Sequence, residues 1–215
     1  MAEMTGDLFR GEDASGELTD SDIELLDVLD TLYRASEKIA IKKLAKNDRG
    51  WAWPKPSTHQ AGIYVPSELR NGLFFPKDEA IRPRTDKPAI LDLSVPTEWP
   101  QATGHEKEAH YKRFTEKSSG TETHLTQLPK ALFANAGPAS FLVIGRLRNA
   151  PVLSLRCVVV DSGSTLHAML EAKFDLRPDF QAGVFDPPGG APSGAVQADE
   201  MEAFIDEAVQ AVQTG

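Results

Sequence analysis

Apolar and polar positions alternate in short stretches through the middle of this chain, and the period lengthens to a helical one near both ends. Ile23, Leu26, Leu29 and Tyr33 fall on one helical face, so the spacing predicts a helix through Tyr33 with Asp20 or Ser21 as its cap. Residues 38–44 (KIAIKKL) alternate and predict a strand, as do 60–65 (QAGIYV) and 89–95 (AILDLSV). Residues 45–58 (AKNDRGWAWPKPST) read as a loop held open by Gly50, Pro54 and Pro56. Pro66 suits the first turn of a short helix. Residues 105–127 are polar and charged, with two strand segments expected around Ser118-Ser119-Gly120. The clearest strand pair is 140–148 with 152–161, joined at Asn149-Ala150-Pro151. Ser164 is placed to cap a helix through about Phe174. The prolines and glycines of 175–195 read as a linker. Met201, Phe204, Ile205, Ala208 and Val212 mark a last amphipathic helix over 197–212. Short strands at irregular spacing suit a mainly β, open barrel with peripheral short helices better than alternating β/α units.

Charge changes this picture, because it is segmented. Residues 1–37 carry 11 acids and 2 bases, 38–158 carry 11 acids and 19 bases, and 159–215 carry 10 acids and 2 bases. The chain is −9 overall, yet its central segment is +8. Phosphate recognition depends on local charge, so the acidic total does not exclude a nucleic-acid partner for the middle of the chain. The single cysteine, Cys157, excludes an intrachain disulfide and points to a reducing, cytoplasmic setting. The polar, acidic start does not read as a secretory signal, and no apolar run reaches bilayer length.

Two segments of the basic region carry candidate chemistry. The first is Lys46-Asn47-Asp48-Arg49-Gly50-Trp51-Ala52-Trp53-Pro54-Lys55, followed by His59-Gln60. Lys46, Arg49 and Lys55, with Lys42 just before them, suit phosphate contacts. Asn47, Asp48, His59 and Gln60 offer the donors and acceptors that read base edges. Trp51 and Trp53 lie two apart, so an extended backbone would put both rings on one side, either packed on the barrel or lining the nucleic-acid face. The second segment is Tyr111-Lys112-Arg113-Phe114-Thr115-Glu116-Lys117, then Thr121-Glu122-Thr123-His124-Leu125-Thr126-Gln127. Tyr111, Lys112, Arg113, Lys117 and Thr126 suit the backbone, and Glu122, Thr123 and His124 suit base edges.

Ile41-Lys42-Lys43-Leu44, Asn47-Asp48, His59-Gln60-Ala61-Gly62-Ile63-Tyr64-Val65-Pro66 and Leu73-Phe74 together resemble the N-terminal effector-binding domain of EcoRII-like restriction endonucleases. Glu122-Thr123-His124-Leu125-Thr126 is similar to that family's second DNA-contacting segment, with His124 where the family has a basic residue. The arm Trp51-Ala52-Trp53-Pro54-Lys55-Pro56 is longer and more aromatic than the family's. The resemblance spans roughly residues 38–175. It implies a seven-stranded pseudobarrel of the plant B-three type that grips duplex DNA with two arms in the major groove. It also implies a CCWGG-type effector site, and a separate catalytic nuclease domain using Mg²⁺ in the parent polypeptide, of the EcoRII or UbaLAI kind. On this reading 1–37 is an acidic tail and helix, 38–175 is the DNA-binding domain, and 176–215 leads to a catalytic domain beyond this chain. The chain itself needs no cofactor or metal and has no catalytic residue.

Two alternatives stand beside this. Asp161 with Glu171-Ala172-Lys173 superficially matches the carboxylate pattern of metal-dependent nucleases, but 164–174 has helical spacing, whereas that motif normally sits on a strand. A transcription-factor-like DNA-binding domain is the other. The five histidines are not spaced with Cys157 as zinc ligands, and neither a phosphate-cradling P-loop nor a serine elbow is present.

Overall fold

The computed structural model describes residues 19–56, 61–70, 72–115, 121–174 and 176–187. The predicted helix over 197–212 and the tail before residue 19 lie outside these.

Helix α1 (Asp20–Ala35) is capped one residue before the predicted positions. Thr19 is its N-cap, bonding reciprocally with Asp22, which satisfies two of the helix's free amides. Strand β1 (Ser36–Lys43) follows directly. The expected 45–58 loop instead opens with a short helix, α2 (Lys46–Gly50). Strands β2 (Gly62–Tyr64), β3 (Ile90–Val95), β4 (Thr97–Glu98), β5 (Ala109–Phe114) and β6 (Glu122–Thr126) come next, with a 3₁₀ turn at Ser67–Leu69 just after Pro66. Helix α3 (Lys130–Asn135), strands β7 (Phe141–Leu147) and β8 (Leu155–Val160), helix α4 (Thr165–Lys173) capped by Ser164, and strand β9 (Ala182–Phe185) complete the described chain.

The protein is mainly β, as the pattern predicts, but the described residues form nine strands in two sheets and not seven, and no closed barrel is present among them. One sheet has the order β4-β8-β7-β1-β9 and the other β2-β6-β5-β3. The expected linker is also corrected. Strand β9 lies inside 175–195 and pairs antiparallel with β1, Ile39 opposite Phe185 through Lys42 opposite Ala182. Its four residues show no clean alternation, so nothing local marked them.

The five-stranded sheet is buried on both faces, which explains its near-continuous apolar runs. Ile39, Ile41, Phe141, Val143, Val158 and Val160 face α1 and α4 in one core. Ala40, Leu142, Ile144, Cys157 and Val159 face the second sheet in another, where they meet Ile63, Phe75, Tyr111 and Leu125. Burial pushes the Cys157 thiol well up, so it is an inert core group. Helix α1 can sit close on β7 because position 145 is glycine; a Cβ there would overlap Ser36 Oγ and the Leu32 side chain. Among the described residues no helix is long and apolar enough to cross a membrane.

Candidate nucleic-acid interface

Pairing register decides which side chains the second sheet shows to solvent. Tyr64 lies opposite His124, His124 opposite Lys112, and Lys112 opposite Asp92. These four share one face, since directly paired residues project to the same side. Glu122 and Phe114 pair on that face, as do Thr126 and His110. The opposite face, carrying Tyr111, Thr123 and Leu125, is core.

This outer face and the arm after α2 enclose a groove of about 1050 Å³. Trp51 and Pro56 come from the first segment, and Lys112, Phe114, Glu122, His124 and Thr126 from the second, so two regions about 60 residues apart in sequence meet in one cleft. Lys107, Lys130 and His105 add to it, leaving Glu122 as the one carboxylate in its lining among the described residues. Lys107 and Lys130 are exposed and have no ion pair among the described residues. The His124 ring is largely covered, standing edge-on between Tyr64 and Phe114 at centroid distances of 6.1 and 5.7 Å, with Nε2 3.2 Å from Glu122 Oε2. Asp92 is the hub of the neighbouring rows. It meets His110 Nδ1 at 2.8 Å, and Lys112 and Arg84 at 3.8 Å each.

Several residues expected at DNA are turned away from this groove. Asp48 is 2 % exposed, and both its oxygens are engaged. Oδ2 accepts from Lys42 Nζ at 2.6 Å and the Ala45 amide at 2.9 Å, and Oδ1 from the Tyr64 amide at 2.9 Å. It ties α2 to β1 and β2, and with its partner Lys42 equally buried, neither is available to read a base or hold a phosphate on the surface. Arg49 is 8 % exposed and donates through Nη1 to the Ala136 carbonyl at 2.6 Å. Tyr111 and Thr123 are fully buried; Tyr111 stacks on Phe75 at 4.4 Å, and burial raises its phenol to about 12. Arg113, on the same inward face, is held by Asp78 at 2.7 Å. Alternation along β5 and β6 was legible in the sequence and separates these from Lys112, Glu122 and His124.

Trp51 and Trp53 do not follow an extended backbone. Trp51 ends α2 with helical angles (φ −69°, ψ −24°), and its Nε1 donates to the Asp48 carbonyl at 2.7 Å. Its ring packs on Phe133 at 5.6 Å while also lining the groove. Trp53 is half-buried and does not line the groove; Lys46, Asn47 and Lys55 are exposed. His59, Gln60 and Lys117 lie outside the described residues. The groove residues missed from sequence are His105, Lys107 and Lys130. The first two lie in the charged run before β5, whereas Lys130 follows Pro129 at the start of α3 and carries no local signal.

The nuclease pattern fares differently. Glu171 is on helix α4, paired with His167, and Asp161 Oδ1 accepts from the Gly163 amide in a local turn. No cluster of three His, Cys, Asp or Glu side chains forms among the described residues. No protein-family model matches the chain, and no curated protein matches it.

Proposed function

We propose that the groove on the outer face of the β2-β6-β5-β3 sheet is a duplex-DNA-binding surface, and that the chain is a sequence-recognition domain of the EcoRII-like kind with a B-three-like pseudobarrel. The carrying observation is the convergence of Trp51 from one arm with Lys112, Glu122 and His124 from the other in a cleft flanked by Lys107 and Lys130. Lysines supply sequence-independent phosphate attraction, and the Glu122 carboxylate, with the largely covered His124 bonded to it, supplies an acceptor for base edges. A carboxylate accepts from the amino group of cytosine, which suits a C·G-flanked site such as CCWGG. Cleavage, with its Mg²⁺, would belong to a catalytic nuclease domain of the parent polypeptide, in a bacterial cytoplasm.

The test is fluorescence anisotropy with a CCWGG duplex and single-base variants at two salt concentrations. A specific site should bind about 10³-fold or more tighter than random duplex, with each wrong base pair costing about 1–3 kcal/mol. Equal affinity for all duplexes would remove the specificity reading, and no affinity at low salt would remove the DNA reading altogether.

A further inference from the structure

Two residues before Trp51, Arg49 lines a second pocket of about 310 Å³, where the end of β1, the start of α2 and the turn at Pro138-Ala139 meet Gln181. Lys43, Lys46 and Arg49 are its charged residues, and no carboxylate lines it among the described residues. The Arg49 guanidinium is unusual. Its Nη1 is bound to a carbonyl, while its buried Nε has no hydrogen-bond partner among the described residues. The adjacent carboxylate, Asp48, is already engaged by Lys42 and two amides. Buried charges are normally paired, so this one is an incomplete arrangement. Lys43 Nζ reaches only the Pro178 carbonyl, at 3.1 Å, and Lys46 is exposed. Ala139 in the pocket wall holds φ 66°, a left-handed conformation that a non-glycine residue adopts at a cost and that recurs at ligand sites.

We propose that this pocket is a binding site for one phosphate group, with Arg49, Lys43 and Lys46 as its cationic donors. The guanidinium plane and two ammonium groups match a tetrahedral oxyanion, and an anion supplies the counter-ion that Arg49 lacks. The occupant rests on the DNA-binding reading: a phosphodiester of the duplex held by the groove beside Trp51. Inorganic phosphate has the same chemistry and is the alternative source.

Two surface substitutions test the site without disturbing the core. Gln181→Glu places a carboxylate at the rim, and Lys43→Gln removes a cation. In wild-type protein, inorganic phosphate should raise the melting temperature relative to chloride at equal ionic strength, and Gln181→Glu should abolish that rise. With duplex DNA, each substitution should lower the slope of log K against log salt by about 0.9, the value for one lost phosphate contact. Val152→Glu, which adds the same charge at an exposed turn, should leave the slope unchanged. A lowered slope assigns the site to the DNA backbone. A phosphate-dependent rise that Gln181→Glu abolishes, with unchanged slopes, assigns it to free phosphate. A rise shared by wild type and Gln181→Glu is the general stabilisation by an excluded anion and counts as no effect. Neither effect, or an equal fall in Val152→Glu without a phosphate-dependent rise, overturns the proposal. If wild type binds no duplex, the DNA reading fails, and the melting comparison still decides the pocket.

Discussion

Single residues in this protein divide between those that line the groove and those that hold the scaffold. Glu122 and His124 share the groove floor, whereas Asp48, chemically just as able to accept from a base, is consumed by Lys42 and two amides. Glu122→Ala should therefore cost about 1–3 kcal/mol on the preferred duplex and less on random DNA; equal losses in anisotropy titrations would make Glu122 scaffold. Trp51 does both jobs, packing on Phe133 and lining the groove. Trp51→Ala should lower stability by about 1–3 kcal/mol, less than truncation of a fully buried aromatic, and also weaken DNA binding. Normal affinity in the folded fraction would confine Trp51 to packing. Its fluorescence should change on binding once the buried Trp99 is replaced by phenylalanine. Tyr111 gives a pH signature. Its phenol is raised from 10.0 to about 12 by burial, so the folded state holds the proton longer than the unfolded chain does. The linked stability is fully present below pH 10 and lost as pH rises through 12. Chemical denaturation across that window should show a fall on the order of 2–3 kcal/mol that Tyr111→Phe removes; an identical fall in the variant would assign it elsewhere.

Elements show that the domain runs past residue 175. The break expected after residue 175 is contradicted by β9, which covers the outer edge of β1 and contributes Phe185 to the α1–α4 core. A chain ending at residue 175 should lose its cooperative melting transition and aggregate, because β1 would become a bare, apolar edge. One ending at residue 187 should melt as the full chain does. Cooperative melting of both would show β9 to be dispensable. Likewise α1, read as part of an acidic extension, is an integral layer: Leu26, Leu29 and Leu32 are buried against the five-stranded sheet.

At the scale of the whole molecule, charge is arranged so that an acidic protein offers a basic cleft. Among the described residues Lys107, Lys112 and Lys130 line it against a single carboxylate, although the chain carries −9 overall. Replacing Lys107 and Lys130 together by alanine should lower the salt slope by about two and weaken all duplexes alike. A loss confined to one sequence would move these lysines from phosphate attraction to base readout.

The sequence by itself determined the alternating stretch that became β1, the strand segments that became β5–β6 and β7–β8, the Ser164 cap of α4, and the concentration of charge in the middle of the chain. These are local properties, set by neighbours a few residues apart. Only the tertiary structure decided which face of the second sheet is open, because the first sheet covers Tyr111 and Thr123 and leaves Lys112 and Glu122 on the groove side, with His124 largely covered between its neighbours. It also decided that Asp48 and Arg49 turn inward, since their partners Tyr64 and Ala136 lie 16 and 87 residues away along the chain. Donor and acceptor types name what a side chain can do; burial and partners at long range fix whether it is free to do it.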